Sequence, residues 1–173
     1  MNVLDHPLIW DCCRAHDVAL AGDDADSQGP VTLVDDPALG QRTSLFYAEG
    51  RRSGREPAVA GAAVRALGAW EECLVWLTGW GVWPSGEDWP RFYAWREGHG
   101  ERRSLEAAPG HLFRAGEAVD LEALLTQVLE NGWDATLLPA RGGAATDRRV
   151  ITSHDEWIAM QSREPVEFTV AAG

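Results

Sequence analysis

Apolar residues recur along this chain in several patterns, and each pattern predicts an element. Spacings of three and four positions predict a short amphipathic helix over 8–20 and a longer one over 117–131, which Asn131-Gly132 would end. A stretch of small residues predicts another helix over 58–70. Runs rich in β-branched and aromatic residues, or with strict alternation, predict strands at 31–34, 43–48, 133–138, 148–152 and 166–170.

The longest apolar run, residues 73–83, predicts a central strand that is covered on both faces. Successive side chains of a strand point to opposite faces. We therefore expect Trp76 and Trp80 on one face of this strand and Trp83 on the other.

A helix is predicted to begin after Asp88, whose side chain would cap it. Pro90 then falls in the first turn, where the backbone N–H groups have no partner to lose. The helix is expected to run to about Glu97, before Gly98, and to bury Trp89, Phe92 and Tyr93.

These elements together predict one α+β domain over residues 1–173. Its sheet should be mostly antiparallel, with a tryptophan-rich core packed against two or three helices. Residues 1–57 are expected to form an N-terminal helix and a hairpin that reverses between 35 and 40, and residues 58–173 the main core.

The net charge of the chain indicates which kinds of molecule it is able to bind. Fifteen arginines and no lysine stand against 27 acidic residues, which gives a net charge of -12. That charge opposes nonspecific binding to nucleic acid or to an anionic membrane, and it favours a basic partner. The sequence shows neither a signal peptide nor an uninterrupted membrane span, so we expect the cytoplasm.

No motif for a cofactor or for a disulfide framework is present. The three cysteines are odd in number, and the neighbours Cys12 and Cys13 cannot form an unstrained bridge with each other. Cys12, Cys13 and His16 offer thiols and an imidazole on one helix, yet no second ligand pair accompanies them. We therefore expect buried apolar cysteines and no cofactor.

One acidic loop has calcium-like spacing. Its oxygen-bearing side chains alternate and a glycine, Gly29, stands at the sixth position, as in the loop of an EF-hand. Pro37 in the place of an exit helix argues against calcium, and a solvated acidic loop is the favoured interpretation. The ligands of such a site would be Asp24, Asp26, Gln28 and Asp35.

Two histidines are candidates for chemistry. Ser153-His154-Asp155-Glu156 combines a hydroxyl, an imidazole and two carboxylates, but Ser153 and Glu156 have the spacing of a capping box and favour the start of a short helix through Trp157 and Ile158. His111 follows a Pro-Gly turn, and we expect it to bond a backbone carbonyl rather than to line a pocket. A hydrolase or metal-dependent enzyme would need His111, His154, Asp155 and Asp134 to converge.

The tryptophans suggest a different kind of site. Most of the nine are expected in the core, where their burial stabilises most. Trp83, Trp89 and Trp95 cluster around a Pro-Ser-Gly turn and, with Arg91 beside them, have the composition of a protein-binding hot spot.

Four motifs between residues 73 and 160 resemble a set of small bacterial proteins, and the predicted order of a strand, a long helix and a hairpin that ends in a short helix resembles immunity and antiphage accessory proteins. The motifs are those at 80–85, 108–113, 131–134 and 153–157. The resemblance implies a small acidic bacterial protein that acts by binding. The resulting hypothesis is a non-catalytic module that engages a basic partner, and the alternative is a small hydrolase or metal-dependent enzyme that uses His111, His154 and Asp155.

Overall fold

The computed structural model describes residues 1–18, 20–21, 32–33, 39, 41–46, 53–166 and 170. The candidate calcium ligands Asp24, Asp26, Gln28 and Asp35 lie outside these ranges. Of the strand predicted over 166–170, only the two end residues lie within them.

The predicted α+β architecture is confirmed, and every strand pairing among the described residues is antiparallel. The strands are β1 (Asn2–Leu4), β2 (Leu20–Ala21), β3 (Thr32–Leu33), β4 (Gln41–Phe46), β5 (Glu72–Gly79), β6 (Gly110–Arg114), β7 (Asp134–Arg141), β8 (Ala144–Ala145), β9 (Arg148–Ser153) and β10 (Trp157–Ser162). The main sheet has the order β1-β6-β5-β7-β9-β10-β4, and β8 extends it by pairing with β7. Strands β2 and β3 pair separately.

The helices begin and end where local chemistry favours it. They are α1 (His6–Ala15), α2 (Glu56–Ala66), α3 (Trp89–Gly98) and α4 (Ala118–Asn131). Asp88 caps α3 as predicted, because its carboxylate accepts a hydrogen bond from the Arg91 backbone N–H at 3.2 Å. Gly132 ends α4 in the left-handed conformation, with φ of 63°. The first helix begins earlier than predicted, because Asp5 caps it.

The main sheet is covered on both sides. Alternate side chains of β5 divide between two cores: Cys73, Val75 and Leu77 pack with α2, α3 and α4, while Leu74 and Trp76 pack with α1. No helix among the described residues is long and apolar enough to cross a membrane.

The predicted N-terminal hairpin differs from the structure. The strand at 32–33 pairs with β2, whereas β4 pairs along its whole length with β10 at the outer edge of the main sheet. Strand β1 occupies the opposite edge. Residues 1–57 therefore supply both edge strands of the main sheet, β1 and β4. Among the described residues the predicted local hairpin is absent, because β4 pairs with the distant strand β10 and not with the strand before it.

The faces predicted for Trp76 and Trp80 are wrong. The pairing of β5 with β7 shifts between Leu77 and Gly79, so that one extra residue of β5 interrupts the alternation. Trp76 therefore packs on the α1 side, and Trp80, beyond the strand, packs against the opposite core.

The short helix predicted through Trp157 and Ile158 is also wrong, because those residues begin β10. A tight turn at 154–156 joins β9 to β10, and the backbone N–H of Glu156 donates to the Ser153 carbonyl at 3.0 Å. Glu156 has a positive φ of 62°, which a helix does not contain. The polar residues at 153–156 close a hairpin instead of starting a helix.

Candidate functional site

The loop after β5 is held in shape by one carboxylate. The Oε1 atom of Glu87 accepts hydrogen bonds from the backbone N–H groups of Gly81 at 2.9 Å and Trp83 at 3.4 Å. The loop closes on itself where the Gly86 N–H donates to the Trp83 carbonyl at 2.8 Å. Residues 80–87 therefore form an ordered projection between β5 and α3.

This loop meets the turn between β9 and β10. The indole Nε1–H of Trp83 donates to the backbone carbonyl of His154 at 3.3 Å. We call Val82, Trp83, His154 and Asp155 the Trp83 corner. Val82 is 45% and Trp83 41% exposed, so this corner presents apolar surface to solvent although its loop is anchored.

His154 is oriented by Asp134. The carboxylate of Asp134 accepts from the His154 backbone N–H at 2.6 Å and lies 2.9 Å from Nδ1 of the ring. On the other side of the ring, Nε2 lies 3.7 Å from Asp155. Hydrogen bonding to Asp134, and then the negative charges of both carboxylates, raise the pKa of His154 above its ordinary value.

Gly79 makes room for this arrangement. A Cβ atom on Gly79 would overlap the Asp134 carboxylate, which lies across the pairing of β5 with β7. The chain therefore needs a glycine there for Asp134 to reach the turn.

The corner carries excess negative charge. The Oε2 atom of Glu87 is buried without a hydrogen-bond partner, and this carboxylate forms no ion pair among the described residues. Asp134 and Asp155 share one imidazole between them. Asp134 and Asp155 thus face one histidine, and Glu87 adds a third carboxylate in the neighbouring loop, so the acidic groups outnumber the one imidazole.

His111 lies elsewhere, in the core. His111 lies on β6 and pairs with Val75 of β5. Strand β7 pairs with the other edge of β5, where Gly79, four residues after Val75, pairs with Asp134. The His111 ring is fully buried, 6.1 Å from Phe92 between centroids. Neither ring nitrogen makes a hydrogen bond of ordinary geometry, but the backbone of Pro109 lies close enough to the ring to act on it as a weak acceptor, the kind of partner that the sequence predicted.

A buried cation, Arg96, contributes to the lowered pKa of His111. Arg96 is fully buried, its Nη2 donates to the Ala108 carbonyl at 3.0 Å, and its guanidinium lies 5.5 Å from the Phe92 ring centre. Burial lowers the pKa of Arg96. Burial first, and the charge of Arg96 second, lower the pKa of His111 to about 3, so His111 is neutral at physiological pH.

The four candidate catalytic residues therefore do not form one cleft. His154, Asp134 and Asp155 come together, and His111 remains apart. An imidazole held by a carboxylate is able to accept a proton, but no hydroxyl or thiol of the described residues hydrogen-bonds to it. The described residues also contain no group of three side chains suited to hold a metal ion.

The aromatic residues predicted for partner binding separate into two groups. Trp83 is exposed, whereas Trp89 and Trp95 are half-buried against the main core. The Trp89 ring packs 4.8 Å from that of Trp133, and Arg91 is exposed and pairs with Glu130 at 2.5 Å.

Tyr93, expected inside, is 36% exposed, although its hydroxyl accepts a hydrogen bond from the N–H of the buried Leu105. Sequence reasoning also missed Val82 and Glu87. The sequence signal for this loop was the pair Gly79 and Gly81, because β5 ends at Gly79 and not at residue 83 as predicted.

The cysteines behave as buried apolar residues. Cys13 and Cys73 are buried and Cys12 is partly buried, and all three are free thiols. Burial raises the pKa of the Cys12 thiol to about 11 and that of Cys13 to about 12. Thiolate chemistry at neutral pH is disfavoured at these positions.

Comparison of the chain with protein-family models, with curated proteins and with solved structures finds no match.

Proposed function

We propose that this protein is a non-catalytic, acidic protein-binding module of the bacterial cytoplasm that engages a basic partner. One observation carries the proposal: a strongly acidic chain presents an exposed tryptophan, on an anchored loop, next to the exposed carboxylate of Asp155. Such a surface has the elements of a protein interface, namely an aromatic anchor and a charged surround.

The charge and the aromatic residue have different roles in this proposal. The net charge of -12 steers a basic protein towards the surface and raises the association rate. The affinity comes from desolvating Trp83 against the partner. Because the loop is already ordered, little conformational entropy is lost on binding.

The resemblance of residues 73–160 to immunity and antiphage accessory proteins supports a more specific role, in which the partner is a bacterial toxin or a component of a defence system. This role rests on analogy, and the gene neighbourhood tests it. Co-expression with each adjacent gene product is expected to rescue growth when that product is toxic. Lack of protection against every neighbouring product would contradict the immunity role but not partner binding.

Affinity capture tests the binding role. Tagged protein is incubated with lysate of its source organism at about 50 mM and about 500 mM salt, since screening weakens exposed charge pairs. The expected result is one basic protein that is retained in stoichiometric amount at low salt and lost at high salt. Capture of no protein, or of acidic proteins that high salt retains, would refute the proposal.

A small hydrolase is the second candidate, and the oriented imidazole of His154 is the observation that favours it. If it is correct, wild-type protein hydrolyses a simple aryl ester, and His154→Gln abolishes the rate above background. Equal rates for both proteins would exclude it.

A further inference from the structure

Val82 and Trp83 stand apart among the exposed apolar side chains. The large apolar residues that are at least about one third exposed in the described structure are Leu8, Val82, Trp83, Tyr93 and Val119. Among these, Val82 and Trp83 are the pair adjacent in the chain. They lie on a loop that is held by backbone hydrogen bonds to Glu87 and by the bond from the Trp83 indole to the His154 carbonyl.

Among the described residues, the carboxylates near this apolar pair outnumber the imidazole of His154. Asp155 adjoins the residue to which Trp83 is bonded, and its side chain is 72% exposed. Glu87 ends the loop; its Oε1 accepts from the loop backbone and its Oε2 is buried, so Asp155 is the carboxylate that a partner reaches. An exposed carboxylate next to an apolar contact complements a basic residue next to an apolar one.

A second acidic region is a weaker candidate. A groove of about 250 Å³ lies between the starts of α2 and α3 and the end of α4. Arg91 lines this groove and pairs with Glu130, so a permanent positive charge already offsets its carboxylates. None of the described residues that line this groove is a large exposed apolar one.

We propose that the Trp83 corner is the surface on which the basic partner docks. An arginine or lysine of the partner pairs with Asp155, and a neighbouring apolar side chain of the partner packs on Val82 and Trp83. This inference rests on the proposed binding function and assigns it to one surface.

The test uses a defined probe, a short peptide of alternating arginine and leucine, and follows the backbone and indole N–H signals of the labelled protein by NMR. At low salt we expect saturable shifts of the Trp83 indole and of the backbone at 82–83 and 154–155. Shifts that are centred elsewhere, or the absence of saturable binding, would overturn the assignment.

Matched variants separate this surface from general acidity. Trp83→Ala is expected to weaken peptide binding about 30-fold, as removal of a hot-spot aromatic does. Asp155→Asn should weaken it about threefold, as loss of one exposed ion pair does, and it leaves the fold unchanged because this side chain is exposed. Val119→Ser and Asp120→Asn remove an even more exposed apolar residue and a neighbouring carboxylate from α4, and they should not alter binding.

Equal effects of the corner variants and the α4 variants would overturn the docking surface. Capture from lysate distinguishes this failure from failure of the proposed function. If wild type and corner variants retain the same basic partner equally well, the binding function stands and the surface is wrong. If wild type retains no partner, the function itself fails.

Discussion

Replacing His111 by leucine should make the free energy of unfolding less dependent on pH below neutrality. His111 is fully buried beside Arg96, and its pKa falls from 6.5 to about 3. In the unfolded chain the imidazole regains its ordinary pKa, so unfolding takes up a proton below about pH 6.5. The stability that depends on the neutral ring is therefore complete above pH 6.5 and is lost as the pH falls towards 3.

The expected size of the effect comes from proton linkage. Each pH unit across this window removes about 1.4 kcal/mol, so acidification from about pH 7.5 to about pH 5 should cost the wild type about 2 kcal/mol through His111 alone. Leucine is similar in volume and takes up no proton. Other groups that face His111 or titrate nearby, His99 and Glu101 among them, are present in both proteins, and their effects cancel in the comparison.

Urea unfolding, followed by tryptophan fluorescence at about pH 5, 6 and 7.5, measures the effect. The wild type should lose about 2 kcal/mol more than His111→Leu over this range. His154→Gln is the matched control: the pKa of His154 is raised, so the stability it contributes is present at low pH and is lost as the pH rises. Parallel pH curves for wild type and His111→Leu would refute a buried neutral histidine.

Three further changes test the site and the core. Asp134→Asn should lower the pKa of His154 towards its ordinary value, because the main acceptor for its ring is lost, and an unchanged NMR titration would contradict the ion pair. Asp88→Ala should destabilise the protein by about 1 kcal/mol in urea unfolding, since the Arg91 N–H loses its cap, and no change in midpoint would argue against that cap. Trp133→Ala should cost about 3–5 kcal/mol, because a fully buried ring is deleted, and a thermal midpoint close to that of wild type would show that the core does not depend on it.

The interactions that act over a few residues were predictable from the sequence. Asp88 as a cap, Gly132 as a helix end and the apolar face of α4 depend on neighbours within one or two turns. The α+β class came from the same short-range patterns, and the structure confirms it. The net charge follows from composition alone. The preference for a basic partner, which was inferred from that charge, stays a prediction.

Only the tertiary structure decided which elements meet. Strand β4 pairs with β10 across more than a hundred residues, which local turn signals do not encode. The extra residue in β5 that reorients Trp80 is set by the pairing with β7. Polar residues at 153–156 are compatible with either a helix start or a hairpin turn, and pairing of β10 with strands on both sides favours the hairpin.

The candidate site arises in the same way. Trp83, Asp134 and His154 are far apart in the chain. They meet because β5, β7 and β9 are neighbours in the sheet, and the end of β5, the start of β7 and the end of β9 lie at the same end of it. Capping and periodicity act within one segment, so one sequence displays them. Strand pairing and packing depend on all segments at once, and they alone determine that His154 lies on the surface beside Trp83 and that His111 lies in the core.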